Sequence, residues 1–182
     1  DNVQHKVRDA PVLLGAVHWG LATAYQYLPQ GRIAHQTEQV VSLLSRGLQL
    51  VPQAVAPMQW GELQNDLGNA YTRRVHGNEA ANVKEALACY RRALHVRTRQ
   101  AAPMQWAETQ SSIAGTYADR TDGEKEANVE KALACFRRAL EVRTREAAPL
   151  KWAETQHALG SAYSKRIVGD KALNVEEAVA CN

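Results

Sequence analysis

No stretch of this sequence stays apolar long enough to cross a membrane. Its longest apolar runs are short and interrupted, well under the roughly 20 residues a spanning helix needs. The first ten residues, DNVQHKVRDA, are polar and hold no signal-peptide core. They also lack an initiator methionine, so the chain is expected to be an excised or processed piece. Neither sign of charge dominates: a net charge of +3 is too mild to point to a nucleic-acid or membrane partner. Catalytic patterns are missing too. The six histidines (His5, His18, His35, His76, His95, His157) are scattered, with no H-E-x-x-H and no pair at metal-ligand spacing. There is no phosphate loop, no nucleophile elbow and no strand to mount one on. The adjacent Glu176 and Glu177 fit the negative charge common at helix N-termini. No enzyme activity, metal or cofactor is expected.

What is present is a period. Residues 57–102 read PMQWGELQNDLGNAYTRRVHGNEAANVKEALACYRRALHVRTRQAA. Residues 103–148 read PMQWAETQSSIAGTYADRTDGEKEANVEKALACFRRALEVRTREAA, identical at 26 of 46 positions, and an incomplete copy starts at Pro149. The repeat is therefore the unit of structure. One period before Pro57, Leu67, Tyr71 and Gly77 stand Pro11, Leu21, Tyr25 and Gly31. The array is expected to comprise 11–56, 57–102, 103–148 and a partial 149–182, with residues 1–10 a linker or the tail of a preceding helix. A hydrophobic fraction of 45% is ordinary for a folded domain and argues against disorder.

Each copy predicts two helices. The first opens at its proline, where the missing N–H costs nothing. Its apolar stripe in the second copy is Trp60, Leu63, Leu67, Ala70 and Tyr71, at helical steps of three and four. Gly77, Gly123 and Gly169, with Gly31, suit a left-handed cap or tight turn after it. The second helix is expected to open at Asn82, Asn128 and Asn174, with Glu85 and Glu177 completing capping boxes. Arg97, Arg99, Arg143 and Arg145 crowd its far end, where cations complement the dipole. Short links make successive helices antiparallel. Gly68, Ala114, Gly160, Ala86 and Ala93 let backbones approach, with Tyr71, Tyr90 and Phe136 filling between.

Cysteine occurs once per copy, as Cys89, Cys135 and Cys181. Equivalent positions in stacked repeats lie roughly 8–10 Å or more apart. That is too far for a disulfide, which needs Cα atoms within about 7 Å, and for convergent zinc ligands. Packing thiols in a reducing, cytoplasmic setting are expected.

Leu67-Gly68-x-x-Tyr71 followed by Ala86-x-x-x-Tyr90-x-x-Ala93 resembles the tetratricopeptide repeat. The third copy has Ile113-Ala114-x-x-Tyr117 and Ala132-x-x-x-Phe136-x-x-Ala139; the fourth has Leu159-Gly160-x-x-Tyr163 and Ala178. The period is 46 rather than 34, and Gln64, Gln110 and Gln156 hold the family's tryptophan position. The long variant is similar to repeats of bacterial proteins that carry a caspase-like CHAT protease domain, matched here from Pro149 and Trp152 through Leu159, Gly160, Tyr163 and Gly169 to Asn174 and Ala178. The resemblance implies an all-α, right-handed α-solenoid of antiparallel helix pairs that serves as a protein-interaction scaffold. It also implies, as an alternative, a regulatory or sensor arm for an effector domain in the same full-length chain.

By the same resemblance the first helices line a concave groove for a protein or peptide. Its contact positions are Trp19 and Thr23; Asn65, Asn69, Thr72 and Arg73; Ser111 and Asp119; His157, Ser161 and Lys165. Glu62, Glu108, Gly115, Ala118, Glu154, Ser164, Gln26 and Tyr27 share the face. Apart from the glutamate shared by 62, 108 and 154, these positions vary between copies while the packing positions repeat. Asn69 with Arg73 is the pair expected to hold an extended peptide. Arg46, Arg92, Arg99, Arg138 and Arg145 form a second candidate, a basic band. Phosphate contacts to nucleic acid are its sharp interpretation. Glu85, Glu130, Glu141 and Glu146 dilute it and no aromatics interleave, so a solvated face is expected. The chain stops at Asn182, in the register of Tyr90 and Phe136. The stripe of Val175, Ala178 and Val179 over Leu159 and Tyr163 is therefore expected to fray or to self-associate.

Overall fold

A computed structural model of the chain describes residues 2–26, 33–121, 123–166 and 171–180. Among these the backbone forms eight helices and no strand: α1 (Asn2–Gln26), α2 (Ile33–Leu50), α3 (Pro57–Thr72), α4 (Glu79–Leu94), α5 (Pro103–Ala118), α6 (Lys125–Leu140), α7 (Pro149–Ser164) and α8 (Lys171–Ala180). None of them is long and apolar enough to cross a membrane. The helices fall into two compact units, Asp1–Val96 and Arg97–Asn182. Within each unit every helix packs on the next in sequence. The fold is all-α, built of helix pairs. In the first unit Tyr90 meets Asn69 and Asn82 meets Arg74, so the later partner pairs with the earlier residue and α3 and α4 run antiparallel.

Proline opens α3, α5 and α7 at the first helical turn, after Ala56, Ala102 and Ala148. Pro11 departs from this pattern: α1 runs through it from Asn2. A proline starts a helix only where the preceding residues are not already helical; inside one it removes a single backbone bond, to the carbonyl four residues back.

The recurring asparagines do not cap. Asn78 caps α4, its Oδ1 accepting from the Ala81 N–H at 3.0 Å. Asn82 lies one turn inside, buried, and its Nδ2 donates back to the carbonyls of Arg74 (3.2 Å) and His76 (2.9 Å). The expected Asn82–Glu85 capping box is thus replaced by a clamp on the connecting loop, since a buried amide satisfies two loop carbonyls that would otherwise lack donors. Asn128 and Asn174 are likewise buried inside their helices, and Asn174 accepts from Arg166 at 3.4 Å. Gly77 and Gly123 take positive φ, +86° and +80°, in the loops so held. Gly31 and Gly169 lie outside the described residues.

The core of the first unit is Ala22, Val40, Leu44, Val51, Leu63, Leu67, Ala70 and Cys89. Each large aliphatic side chain buried there contributes about 1.5–3 kcal/mol. Arg74 joins successive pairs by donating to both oxygens of Glu38, at 2.7 and 2.9 Å. In the second unit the Arg166 Nε–H donates to Glu130 Oε1 at 2.6 Å. That unit buries Ile113, Leu133, Phe136, Leu159 and Tyr163. Leu159 and Tyr163 are therefore covered rather than part of an open end stripe, whereas Val175 and Val179 are 59% and 70% exposed. Asn182 lies outside the described residues.

Gly68 marks a close approach in the first unit: a Cβ there would stand 2.5 Å from the Tyr90 ring. At Gly115 a Cβ would meet nothing within 4 Å. Opposite signs are therefore expected in urea unfolding. Gly68→Ala adds an overpacking cost of about 1–3 kcal/mol, which outweighs its helix-propensity gain, while Gly115→Ala stabilises by about 1 kcal/mol. A Gly68→Ala protein as stable as the parent would mean that the Tyr90 ring yields.

The Arg74 bonds hold the Glu38 carboxyl below the usual glutamate range. Its contribution is complete above about pH 4.3 and is lost as pH falls through the lower folded value. Because both groups are partly exposed, the amount is at most about 1 kcal/mol. Glu38→Gln should flatten the acid limb of the stability curve by that amount; an unchanged limb would discount the pair.

Candidate functional site

The groove candidates fall in both units. In the first, Trp19 is half-buried and its indole N–H donates to Asp66 Oδ2 at 2.7 Å, tying α1 to α3. The Thr23 hydroxyl donates to the Trp19 carbonyl at 3.0 Å. Asn65 is 1% exposed and its amide lies 3.5 Å from Asp66 Oδ1. Asn65 therefore sits beneath the face on which it was expected, as the helix turns it toward the interior. Asn69 Oδ1 accepts from the Tyr90 hydroxyl at 2.9 Å, so the half of the expected Asn69–Arg73 pair meant for peptide amides is engaged within the fold. Thr72 donates to the Asn69 carbonyl at 2.8 Å, and Arg73 is exposed as the C-cap of α3. The Gln26 side chain and Tyr27 lie outside what is described.

In the second unit Asp119 and Lys165 meet. The ammonium donates to Asp119 Oδ1 at 3.0 Å and to the Ala118 carbonyl at 3.2 Å, linking the ends of α5 and α7. His157 and Ser161 are exposed on α7. Ser111 lies further along α5, beside an open hollow of about 320 Å³. Gly115, Phe136 and Ala158 make its apolar part; Ser111, Ser112, Thr155 and Arg143 make its polar wall. Glu108, Lys151 and Glu154 stand at its rim. Ser111, Gly115, Glu108 and Glu154 were legible as face positions. The others were not.

Arg143 is the main surprise. It was expected at a helix end, complementing the dipole, but it lies beyond the end of α6 and is 8% exposed. Its Nη1 donates to Ser111 Oγ and Thr155 Oγ1, both at 3.1 Å, bridging α5 and α7. Burial pulls its pKa down, and the carboxylates of Glu108 and Glu154 push back; an arginine remains charged throughout. Arg97, one period earlier and 2% exposed, donates to Glu108 (3.2 Å) and Thr109 (3.4 Å) of α5. Lys151 pairs with Glu154 at 2.8 Å.

The basic band is partly engaged within the second unit. Arg99 lies over the Trp106 ring and bonds Glu141 at 2.6 Å; Arg145 lies over Trp152. In the first unit the guanidinium of Arg92 is 4.0 Å from Cys89 Sγ. Arg46 and Arg138 are exposed. Cys89 and Cys135 are buried free thiols. Burial pushes Cys89 up to about 11, so it stays protonated at neutral pH, and raises Cys135 as well. Cys181 lies outside the described residues.

The chain matches no protein-family model and none of the curated proteins.

Arg143 separates packing from charge. Arg143→Met keeps the length, and Thr155 retains its bond to the Lys151 carbonyl, so stability should stay within about 1 kcal/mol of the parent. Arg143→Ala empties the space between the helices and should cost about 2–4 kcal/mol. Equal losses in urea unfolding would show that the charge, not the packing, matters.

Proposed function

We propose that the chain is an interaction module of the tetratricopeptide type, which binds an extended peptide segment of a partner protein along the face of α5 and α7. The observation that carries this is the hollow beside Ser111 and Gly115. It is open, mixed in polarity, and lined in part at positions that differ between copies: Asn69 against Gly115 and Ser161, Asp66 against Ser112 and Ala158. Packing positions do the opposite, with Ala86 and Ala132, Ala93 and Ala139, Leu87 and Leu133 retained and buried. A surface that changes while its support is kept suits recognition rather than scaffolding alone. The effector-arm alternative fits such a face equally well, with the partner tethered in the same chain. Nucleic acid gains less support, because Arg99 and Arg145 already cover tryptophan rings.

The test is selection from a displayed library of random twelve-residue peptides, followed by affinity measurement on the enriched ones. Ala158→Arg, which places a long charged side chain in the hollow, should weaken binding at least about tenfold with the melting temperature retained. Arg138→Glu on the exposed side of α6 should leave binding unchanged. A library that enriches nothing, or peptides indifferent to Ala158→Arg, would overturn the proposal.

A further inference from the structure

Arg97 and Arg143 occupy the same place in successive copies and bond differently. Both are buried, 2% and 8% exposed. Each donates to a threonine of the following first helix, Arg97 to Thr109 at 3.4 Å and Arg143 to Thr155 at 3.1 Å. Arg97 also bonds a carboxylate, Glu108, at 3.2 Å. The corresponding residue for Arg143 is Glu154, but that carboxylate is held by Lys151 at 2.8 Å. One period before Lys151 stands Gln105, which carries no charge to draw Glu108 away. Arg143 is left with two hydroxyls, Ser111 and Thr155, and with no carboxylate bonded to it among the described residues.

A buried guanidinium lacking a bonded carboxylate is destabilising, and its planar fork is shaped for two carboxylate oxygens. Both hydroxyls bond Nη1, so Nε and Nη2 hold no bond among the described residues. The same side chain lines the hollow beside Ser111 and Gly115. Around it Arg97 is matched by Glu108 and Lys151 by Glu154, which leaves one positive charge, on Arg143. A single negative charge balances it. A phosphoryl group, with nearly two, would leave an excess beside Glu108 and Glu154. The rest of the lining sets the shape of the ligand. Gly115, Phe136 and Ala158 form an apolar side along which methylenes can lie. A glutamate side chain brings its carboxylate on two methylenes, whereas a chain-terminal carboxylate brings none.

We infer that Arg143 anchors the carboxylate of a glutamate side chain carried by the bound peptide. The inference rests on the peptide-binding proposal and adds to it the residue that the face selects. The guanidinium takes the carboxylate through Nε and Nη2, and the methylenes pass Phe136 and Ala158.

The probe is N-acetyl-glutamate-N′-methylamide, one glutamate side chain between two peptide bonds, titrated at neutral pH into the ¹⁵N-labelled 182-residue chain. Saturable shifts are expected at the amides of Ser111, Gly115 and Ala158 and at the Arg143 Nε–H. The glutamine analogue keeps the shape without the charge and should bind at least about tenfold more weakly. N-acetyl-glutamine with a free terminal carboxylate, and inorganic phosphate, should also bind more weakly. Lys151→Gln restores the residue of the preceding copy and releases Glu154 to satisfy Arg143 from within. It should weaken the response at least about tenfold while melting at or above the parent temperature. Arg143→Met should abolish the response. Equal binding of the glutamate and glutamine compounds, equal or tighter binding of the terminal carboxylate or phosphate, persistence in either variant, or no response would each overturn the inference. The two proposals fail separately. Displayed peptides that bind through an Ala158-sensitive face while the glutamate compound gives no response leave the groove and remove the anchor. A glutamate response lost in Arg143→Met, without any enriched peptide, leaves the carboxylate site and removes the groove.

Discussion

A buried side-chain amide governs how a helix pair closes. Asn82 reaches back from the first turns of α4 to two carbonyls of the loop it has just left, those of Arg74 and His76. With those acceptors satisfied the loop can be short, and a glycine at positive φ turns it. The residue whose carbonyl is held, Arg74, also extends its guanidinium to Glu38 in the preceding pair. One amide thereby couples the angle within a pair to the contact between pairs in the first unit. In the second unit Arg166 likewise reaches both Asn174 and Glu130 with its guanidinium.

Much of the framework could be read from the chain. Proline and the three-four stripe located α3, α5 and α7, and the alanine and tyrosine positions located the packing, because these depend on local steric demands that repeat every period. The asparagine was misassigned because cap and clamp use the same residue, and Asn78, four residues earlier, took the cap. Pro11 misled for a related reason: its meaning depends on whether the residues before it are helical, which a single proline does not encode. Arg143 and Arg97 were read by charge, while their burial follows from hydroxyls on the next first helix that sequence spacing alone does not bring together.

The site divides in the same way. Ser111, Gly115, Glu108 and Glu154 follow from helical phase and were legible. Asn65 was placed on the face by that phase yet lies 1% exposed, a matter of a fraction of a helical turn. Phe136 was legible only as packing, and the hollow it lines goes with a glycine, Gly115, where the second copy has Asn69. That signal was in the sequence, in the comparison of one copy with the next rather than in any one of them.

The reach of the bonds has a kinetic consequence. Among the side-chain bonds described, the widest separations in sequence are 47 residues, barely one period: Trp19 to Asp66, Gln59 to Val12, Lys165 to Ala118. Chains whose contacts are this local close small loops on the way to the native state and fold quickly for their length. In such a chain ordering can nucleate in any one helix pair and spread to its neighbours. A lesion in one copy would then slow or stall that pair first, and leave the others able to form around it.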